Sequence, residues 1–151
     1  MLLLLSCNLF AATLQGKVVS VADGDTTTVL DEKKIQHKIR LQGIDAPERD
    51  QAYGQTSKQS LSQLVFGQEV TIEVTKKDKY GRTIGKVLLN HQDICLEQVK
   101  RGLAWHYKQY QVEQSKDDQF SYAEAELTAK NQLTGLWKDK NPTPPWDFRK
   151  R

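Results

Sequence analysis

The segment Arg40-Leu-Gln-Gly-Ile-Asp45-Ala-Pro47-Glu48 holds an arginine and two carboxylates, with a proline stiffening the turn between the acids. Asp23-Gly24-Asp25-Thr26 lies upstream, and Lys79-Tyr80-Gly81-Arg82 lies downstream. Carboxylate oxygens suit a hard cation. Guanidinium groups suit phosphate, which they grip through two parallel hydrogen bonds while staying charged. Cleavage of a phosphodiester needs both kinds of group. The substrate is anionic, its transition state concentrates more negative charge, and the attacking water must be activated. Asp25 and Asp45 are therefore candidate metal ligands, and Arg40 and Arg82 candidate phosphate clamps. Glu48 is a candidate general base, or the residue that orients the attacking water. Each has a plainer reading when taken alone. Asp25 fits an Asp-Gly turn, Glu48 a solvated carboxylate after Pro47, and either arginine a surface ion pair. The spacing of Arg40 to Asp45 and Glu48 is what favours chemistry.

These residues must be positioned by elements distant in the chain. Val18, Val19 and Val21 are β-branched and precede the turn at Asp23-Gly24, so a strand is expected from Gly16 onward. Thr26 to Leu30 reads as a second strand and Ile35 to Gly43 as a third, a meander joined by the polar turn Asp31-Glu32-Lys33-Lys34. Ala52 to Phe66 reads as a helix, with Leu61, Leu64 and Val65 on one face and Gly67 just beyond its end. Glu69 to Val74 alternates as a half-buried strand does. Ile84 to Leu89 and Gln92 to Cys95 fit a hairpin turning at Asn90-His91, followed by a short helix marked by Leu96, Val99 and Leu103. A last helix is expected over Asp117 to Gln132, capped near Ser115, with Phe120, Ala123 and Leu127 as its apolar stripe. The tail Asn141-Pro-Thr-Pro-Pro-Trp146 cannot continue it. This pattern by itself specifies an α+β domain.

Composition bounds the possibilities. The chain has 151 residues, enough for one domain with one core. Its 38% hydrophobic and 27% charged residues exclude a disordered chain. A formal net charge of +3 is compatible with a polyanionic substrate without establishing one. Met1 to Ala12 is uncharged and mostly apolar, too short to span a bilayer as a helix, and ends in small residues. It is read as the apolar part of a secretory signal peptide that lacks its basic start, which leaves two alternatives, a start codon placed too late or a weak or uncleaved signal, and an exported protein is expected. Cys7 lies in this leader, in a setting loosely like a lipoprotein lipobox, and anchoring through it is the minor alternative. Cys95, between Ile94 and Leu96, is expected in the core as a free thiol. No Cys/His spacing suggests zinc.

In this order, the pieces resemble the staphylococcal (micrococcal) nuclease family, the thermonucleases, from about Gly16 to Trp137. The resemblance implies an OB-type five-stranded β-barrel with packed α-helices. It puts Asp25, Asp45 and the backbone carbonyl of Ala46 on Ca2+, Glu48 beside the attacking water, and Arg40 and Arg82 on the scissile phosphate. It puts Lys79 and Tyr80 on a terminal phosphate of a bound nucleotide. The third family element is Trp105-His106-Tyr107-Lys108-Gln109-Tyr110, in which Tyr107 and Tyr110 are candidate stacking platforms for bases. The segment Arg49 to Gly54 is shorter than the family's lysine-rich loop near the active site. The resemblance further implies DNA and RNA as substrates, a leaving 5′-oxygen, 3′-phosphorylated products, a monomer and no stable protein partner. Low sequence specificity follows from phosphate grip and stacking with no base-reading element in view. On this reading residues 1–12 are the leader, 13–140 the nuclease domain and 141–151 a Pro-rich basic tail to which no chemistry is assigned. The competing reading is a nucleic-acid-binding module of the same fold that has lost catalysis. Retention of Asp25, Arg40, Asp45, Glu48 and Arg82 together argues against it.

Overall fold

Strand β1 (Thr13–Asp23) is the spine of the molecule. The computed structural model describes residues 12–151; the leader reading and Cys7 lie outside the described residues, except that the carbonyl of Ala12 accepts a hydrogen bond from the Val74 N–H at 2.9 Å. β1 pairs antiparallel with β2 (Thr26–Leu30) on one side and with β5 (Glu69–Lys77) on the other. β2 continues to β3 (Gln36–Leu41), and β5 to β6 (Thr83–Leu89). The sheet then closes on itself, because β3 and β6 pair in parallel through Ile39 with Thr83, Arg40 with Ile84 and Leu41 with Gly85. Register shifts within β1 at Val18/Ser20 and Val21/Asp23, and within β5 at Val74/Lys76, supply the bends that closure requires. The result is the five-stranded OB-type barrel in an α+β chain that the resemblance implied.

Val18, Val29, Ile39, Leu41, Val70, Ile72 and Val87 fill the interior. Helix α1 (Gly54–Val65) closes the barrel with Leu61 and Val65, and α2 (Ile94–Lys100) adds Ile94 and Val99. A two-residue pairing of β4 (Ile44–Asp45) with β8 (Trp105–His106) ties the acid-bearing segment to the C-terminal half. Helix α3 (Lys116–Asn131) and a helical turn α4 (Pro145–Phe148) complete the chain, with 3-10 turns at Lys108–Glu113 and Gly135–Lys138. Among the described residues no helix is long and apolar enough to cross a membrane.

The structure corrects two local expectations. The hairpin turns at Asn90-His91, both with positive φ, but its second strand β7 is only Gln92–Asp93. The Asp93 carboxylate accepts the Leu96 N–H at 3.0 Å, so capping starts α2 at Ile94 and overrides the strand preference of Ile94 and Cys95. Ser115 caps α3 as expected, accepting the Asp118 N–H at 3.1 Å, but the apolar stripe is misplaced. Phe120 and Leu127 are 69% and 52% exposed, and the helix instead buries Tyr122, Glu126 and Ala129. Polar anchors set its rotation. The Tyr122 hydroxyl donates to Asp93 at 2.7 Å, and the Glu126 carboxylate accepts from the His106 N–H, Lys108 Nζ and Lys130 Nζ at 2.7, 2.8 and 3.0 Å.

Glu126 makes a pH prediction. Burial opposes its ionisation, but the hydrogen bonds from Lys108, Lys130 and the His106 N–H prevail and hold its carboxyl below the usual glutamate range. A depressed carboxyl contributes stability above the unfolded-state pKa, near 4.3, and loses it as pH falls through the lower folded-state value. Glu126→Gln keeps an acceptor for the His106 N–H but loses the charge. It should cost roughly 1–3 kcal/mol at pH 7. Urea unfolding at pH 7 and pH 3 checks this: the gap between the two proteins should shrink in acid, and a gap independent of pH would refute the assignment.

Candidate active site

The turn between β1 and β2 delivers Asp25. Gly24 is required there, because a Cβ would lie 1.8 Å from the Ser57 Oγ and 2.9 Å from the Ala46 Cβ. The turn is clamped by the fully buried Gln98, whose Nε2 donates to the Gly24 carbonyl at 2.8 Å and to the Ser57 carbonyl at 3.0 Å. Ser60 Oγ donates to the Gln98 Oε1 at 2.7 Å, and Ser57 Oγ to the Leu103 carbonyl at 2.6 Å. This buried network joins α1, α2 and the Asp25 turn into one rigid unit. No periodic signal in the sequence marks it, since each member reads singly as a polar helix residue.

β3 delivers Arg40, and β4 delivers Asp45. Arg40 Nη1 donates to the Leu41 and Ile44 carbonyls at 2.8 and 2.9 Å, while Nη2 lies 3.3 Å from both Asp25 Oδ2 and Asp45 Oδ1. Both candidate metal ligands thus share one guanidinium nitrogen. The Ala46 N–H donates to Asp25 Oδ2 at 2.7 Å, placing Ala46, itself buried, against the same carboxylate. Glu48 follows on a loop that Gln51 fastens: its Oε1 accepts the Glu48 N–H at 3.0 Å, and its N–H donates to the Glu48 carbonyl. Gly54 lets the start of α1 abut this loop, since a Cβ there would lie 1.9 Å from the Glu48 carbonyl oxygen.

Asp25, Arg40, Asp45 and Glu48 line a cleft of about 810 Å³ whose opposite wall comes from the β5–β6 turn. That wall carries Lys79, Tyr80 and Arg82. Asp78 organises it, accepting the Tyr80 and Arg82 N–H groups at 2.9 Å each and the Arg82 Nε at 2.7 Å. The terminal nitrogens of Arg82 have no hydrogen-bond partner among the described residues. Tyr80 is 73% exposed, with Lys79 Nζ 5.2 Å and the Arg82 guanidinium 5.6 Å from its ring centre. Tyr107 and Tyr110 stand at the third side with ring centres 4.9 Å apart. One face of Tyr107 is already covered by Trp146 at 5.5 Å, so the more exposed Tyr110 is the freer platform. Every side chain singled out from the sequence for ligand, phosphate or base contact therefore lines this one cleft. His106 does not; it is buried, and burial holds its ring below the usual histidine pKa.

The cleft has an acidic floor and a basic rim. Sequence reasoning missed Asp23, whose carboxyl is pushed up to about 7 by burial and by the neighbouring charge of Asp25. It also missed Asp78 and Arg149. The pattern Asp23-x-Asp25 could have signalled the first; Arg149, in a tail to which no chemistry was assigned, had no signal. Burial likewise raises Asp45 above the usual carboxylate range. For Arg40, burial opposes the charge, and Asp25, Asp45 and Asp23 more than compensate. Cys95 is fully buried elsewhere and burial pushes its thiol up, so it supplies neither a nucleophile nor a metal ligand.

Among the described residues, no three His, Cys, Asp or Glu groups are arranged to enclose a metal ion. The donors at the floor are all oxygen: two buried aspartates converging on one nitrogen, with Glu48 alongside. Such a set fits a hard divalent cation that keeps open positions for water and substrate, and does not fit a closed thiolate or imidazole site.

The family model described as staphylococcal nuclease homologue matches residues 38–139, more than half of the chain. The chain belongs to the staphylococcal nuclease family. The match takes in Arg40, Asp45, Ala46, Glu48 and Arg82, and leaves out Asp25 and the tail from Lys140 onward. Relatives extend the likeness. A Haemophilus influenzae protein named an uncharacterized endonuclease is 42% identical over 135 residues, covering 89% of this chain and 72% of the relative. An Escherichia coli O157:H7 protein with the same name is 38% identical over 151 residues, covering 99% and 94%. A Shigella flexneri protein named micrococcal nuclease is 37% identical over 148 residues, covering 92% and 82%. These relatives support nuclease activity, in the broad sense, for this member of the staphylococcal nuclease family.

Proposed function

We propose that this protein is a calcium-dependent nuclease that hydrolyses phosphodiester bonds of DNA and RNA with low sequence specificity and leaves 3′-phosphorylated ends. The observation that carries the reading is the convergence of Asp25 and Asp45 on one nitrogen of Arg40, each at 3.3 Å, with Glu48 beside them and Arg82 across the same cleft. Asp25, Asp45 and the Ala46 carbonyl would hold the calcium ion. When bound, that ion would supply positive charge for the phosphoryl oxygens. Glu48 accepts the proton of the attacking water or orients it. Arg82 donates its free terminal nitrogens to the phosphate, and Arg40 adds fixed positive charge from below. Lys79 and Tyr80 hold the neighbouring phosphate. Tyr110, with Tyr107 behind it, stacks on a base without selecting among bases. The same reading makes the protein exported and monomeric; the uncharged apolar run from Met1 to Ala12 supports export, and fractionation of cells expressing the full chain tests it.

The test of activity is incubation of the purified full chain with single-stranded DNA and with RNA, in calcium and in excess chelator. Cleavage in calcium that stops on chelation, with product ends that a 3′-phosphatase converts, is the expected result. A folded chain that binds both nucleic acids and cuts neither in either condition would be a binding module instead.

A further inference from the structure

The C-terminal segment reaches into the acidic floor. Its anchor is built from several contacts. Pro145 is buried, Trp146 stacks on Tyr107 with an interplanar angle of 4° and meets Trp105 edge-on at 5.4 Å, and Gln51 Nε2 donates to the Thr143 carbonyl at 2.6 Å. From this base Arg149 makes a forked pair with Asp45, Nη1 to Oδ1 at 3.0 Å and Nη2 to Oδ2 at 2.8 Å, and Nη1 also donates to Glu48 Oε1 at 2.7 Å. Both oxygens of Asp45, a side chain 1% exposed, are therefore taken by a guanidinium supplied from 104 residues away. A divalent cation ligated by Asp45 draws on the same oxygens, and its charge repels the guanidinium that holds them.

We propose that Arg149 is a tethered cation that occupies the Asp45–Glu48 carboxylates in the metal-free protein and must yield them to a divalent cation, so that this residue sets how tightly the site binds metal. The inference rests on the calcium reading above. The tether gives Arg149 a fixed effective concentration at the carboxylates, on the order of millimolar or higher, against which free metal must compete. Without the tether, Glu48 loses its guanidinium partner and Asp45 keeps only the contact of Oδ1 with Arg40 Nη2 at 3.3 Å, so the metal no longer has to displace a forked pair.

Calorimetric titration of calcium into the metal-free full chain, with no nucleic acid present, tests this. Arg149→Gln should bind calcium about tenfold more tightly than wild type, or better, because one charge-assisted pair no longer has to be broken. Arg149→Lys should fall between them, keeping the charge without the fork. In wild type, calcium should also shift the side-chain guanidinium resonance that Arg149→Gln removes. A chain ending at Phe148 gives the same comparison if the point variant does not fold. Equal or weaker calcium binding by Arg149→Gln beside a binding wild type would overturn the inference and leave the calcium reading intact. Absence of calcium binding by either chain would overturn both.

Discussion

Glu48→Gln should lower the rate of phosphodiester cleavage by about 10²–10⁴-fold, the range that loss of a general base produces. The glutamine keeps an oxygen for the Arg149 contact at Glu48 Oε1, so the fold and the cleft survive while the proton acceptor is lost. The loss should fall on kcat, with KM little changed, because the proton moves only in the transition state. Arg82→Ala belongs in the same experiment. Its guanidinium spends only Nε on Asp78, and the pair is partly exposed, so its removal should cost under about 1 kcal/mol of stability. Its loss of rate should still reach about 10²–10³-fold, as for removal of one transition-state donor. Steady-state kinetics on a short single-stranded DNA, with unfolding curves alongside, separate the two effects. Cleavage persisting unchanged in both variants would move the chemistry off these residues.

Arg40→Ala should cost both activity and the fold. The resemblance gives Arg40 and Arg82 one task, but their surroundings differ. Arg40 is 14% exposed and bonds to two backbone carbonyls and two aspartates, stapling β3 to β4 across the acidic floor. Removing it leaves Asp25 without its ion partner, Asp45 with Arg149 alone, and the Leu41 and Ile44 carbonyls without this donor. Loss of one partner from a buried ion pair costs about 3–5 kcal/mol. With a urea slope of about 1–3 kcal/mol/M, the midpoint should fall by roughly 1–5 M. Unfolding in chelator isolates this from any effect on metal binding. A midpoint within error of wild type would rule out the staple and make Arg40 a phosphate contact only.

Much of the barrel was legible because its strands carry local signals. Val18, Val29, Val70 and Ile72 recur where alternation requires them, and Asp23-Gly24 and Asn90-His91 mark hairpin turns by residue type. The failures share a cause. Ile94-Cys95 became helical because the Asp93 side chain found the Leu96 N–H, and α3 turned away from Phe120 and Leu127 because Tyr122 and Glu126 had polar partners on β7 and β8. An apolar stripe is weak evidence of facing when a buried hydrogen bond to another element sets the rotation.

The amino-acid sequence by itself determined which groups are available for the chemistry. Arg40, Asp45 and Glu48 come from one short segment, and their spacing is local. The tertiary structure alone decided how they are used. Closure of β3 on β6 brings Arg82 to the cleft that Asp25 and Asp45 floor. The Gln98 network sets the Asp25 turn against α1. The tail folds back so that Arg149 meets Asp45 and Glu48. Side-chain type and near-neighbour spacing are properties of the chain; which distant carboxylate a guanidinium reaches depends on how the barrel closes and where Trp146 packs, and neither is encoded in any short segment.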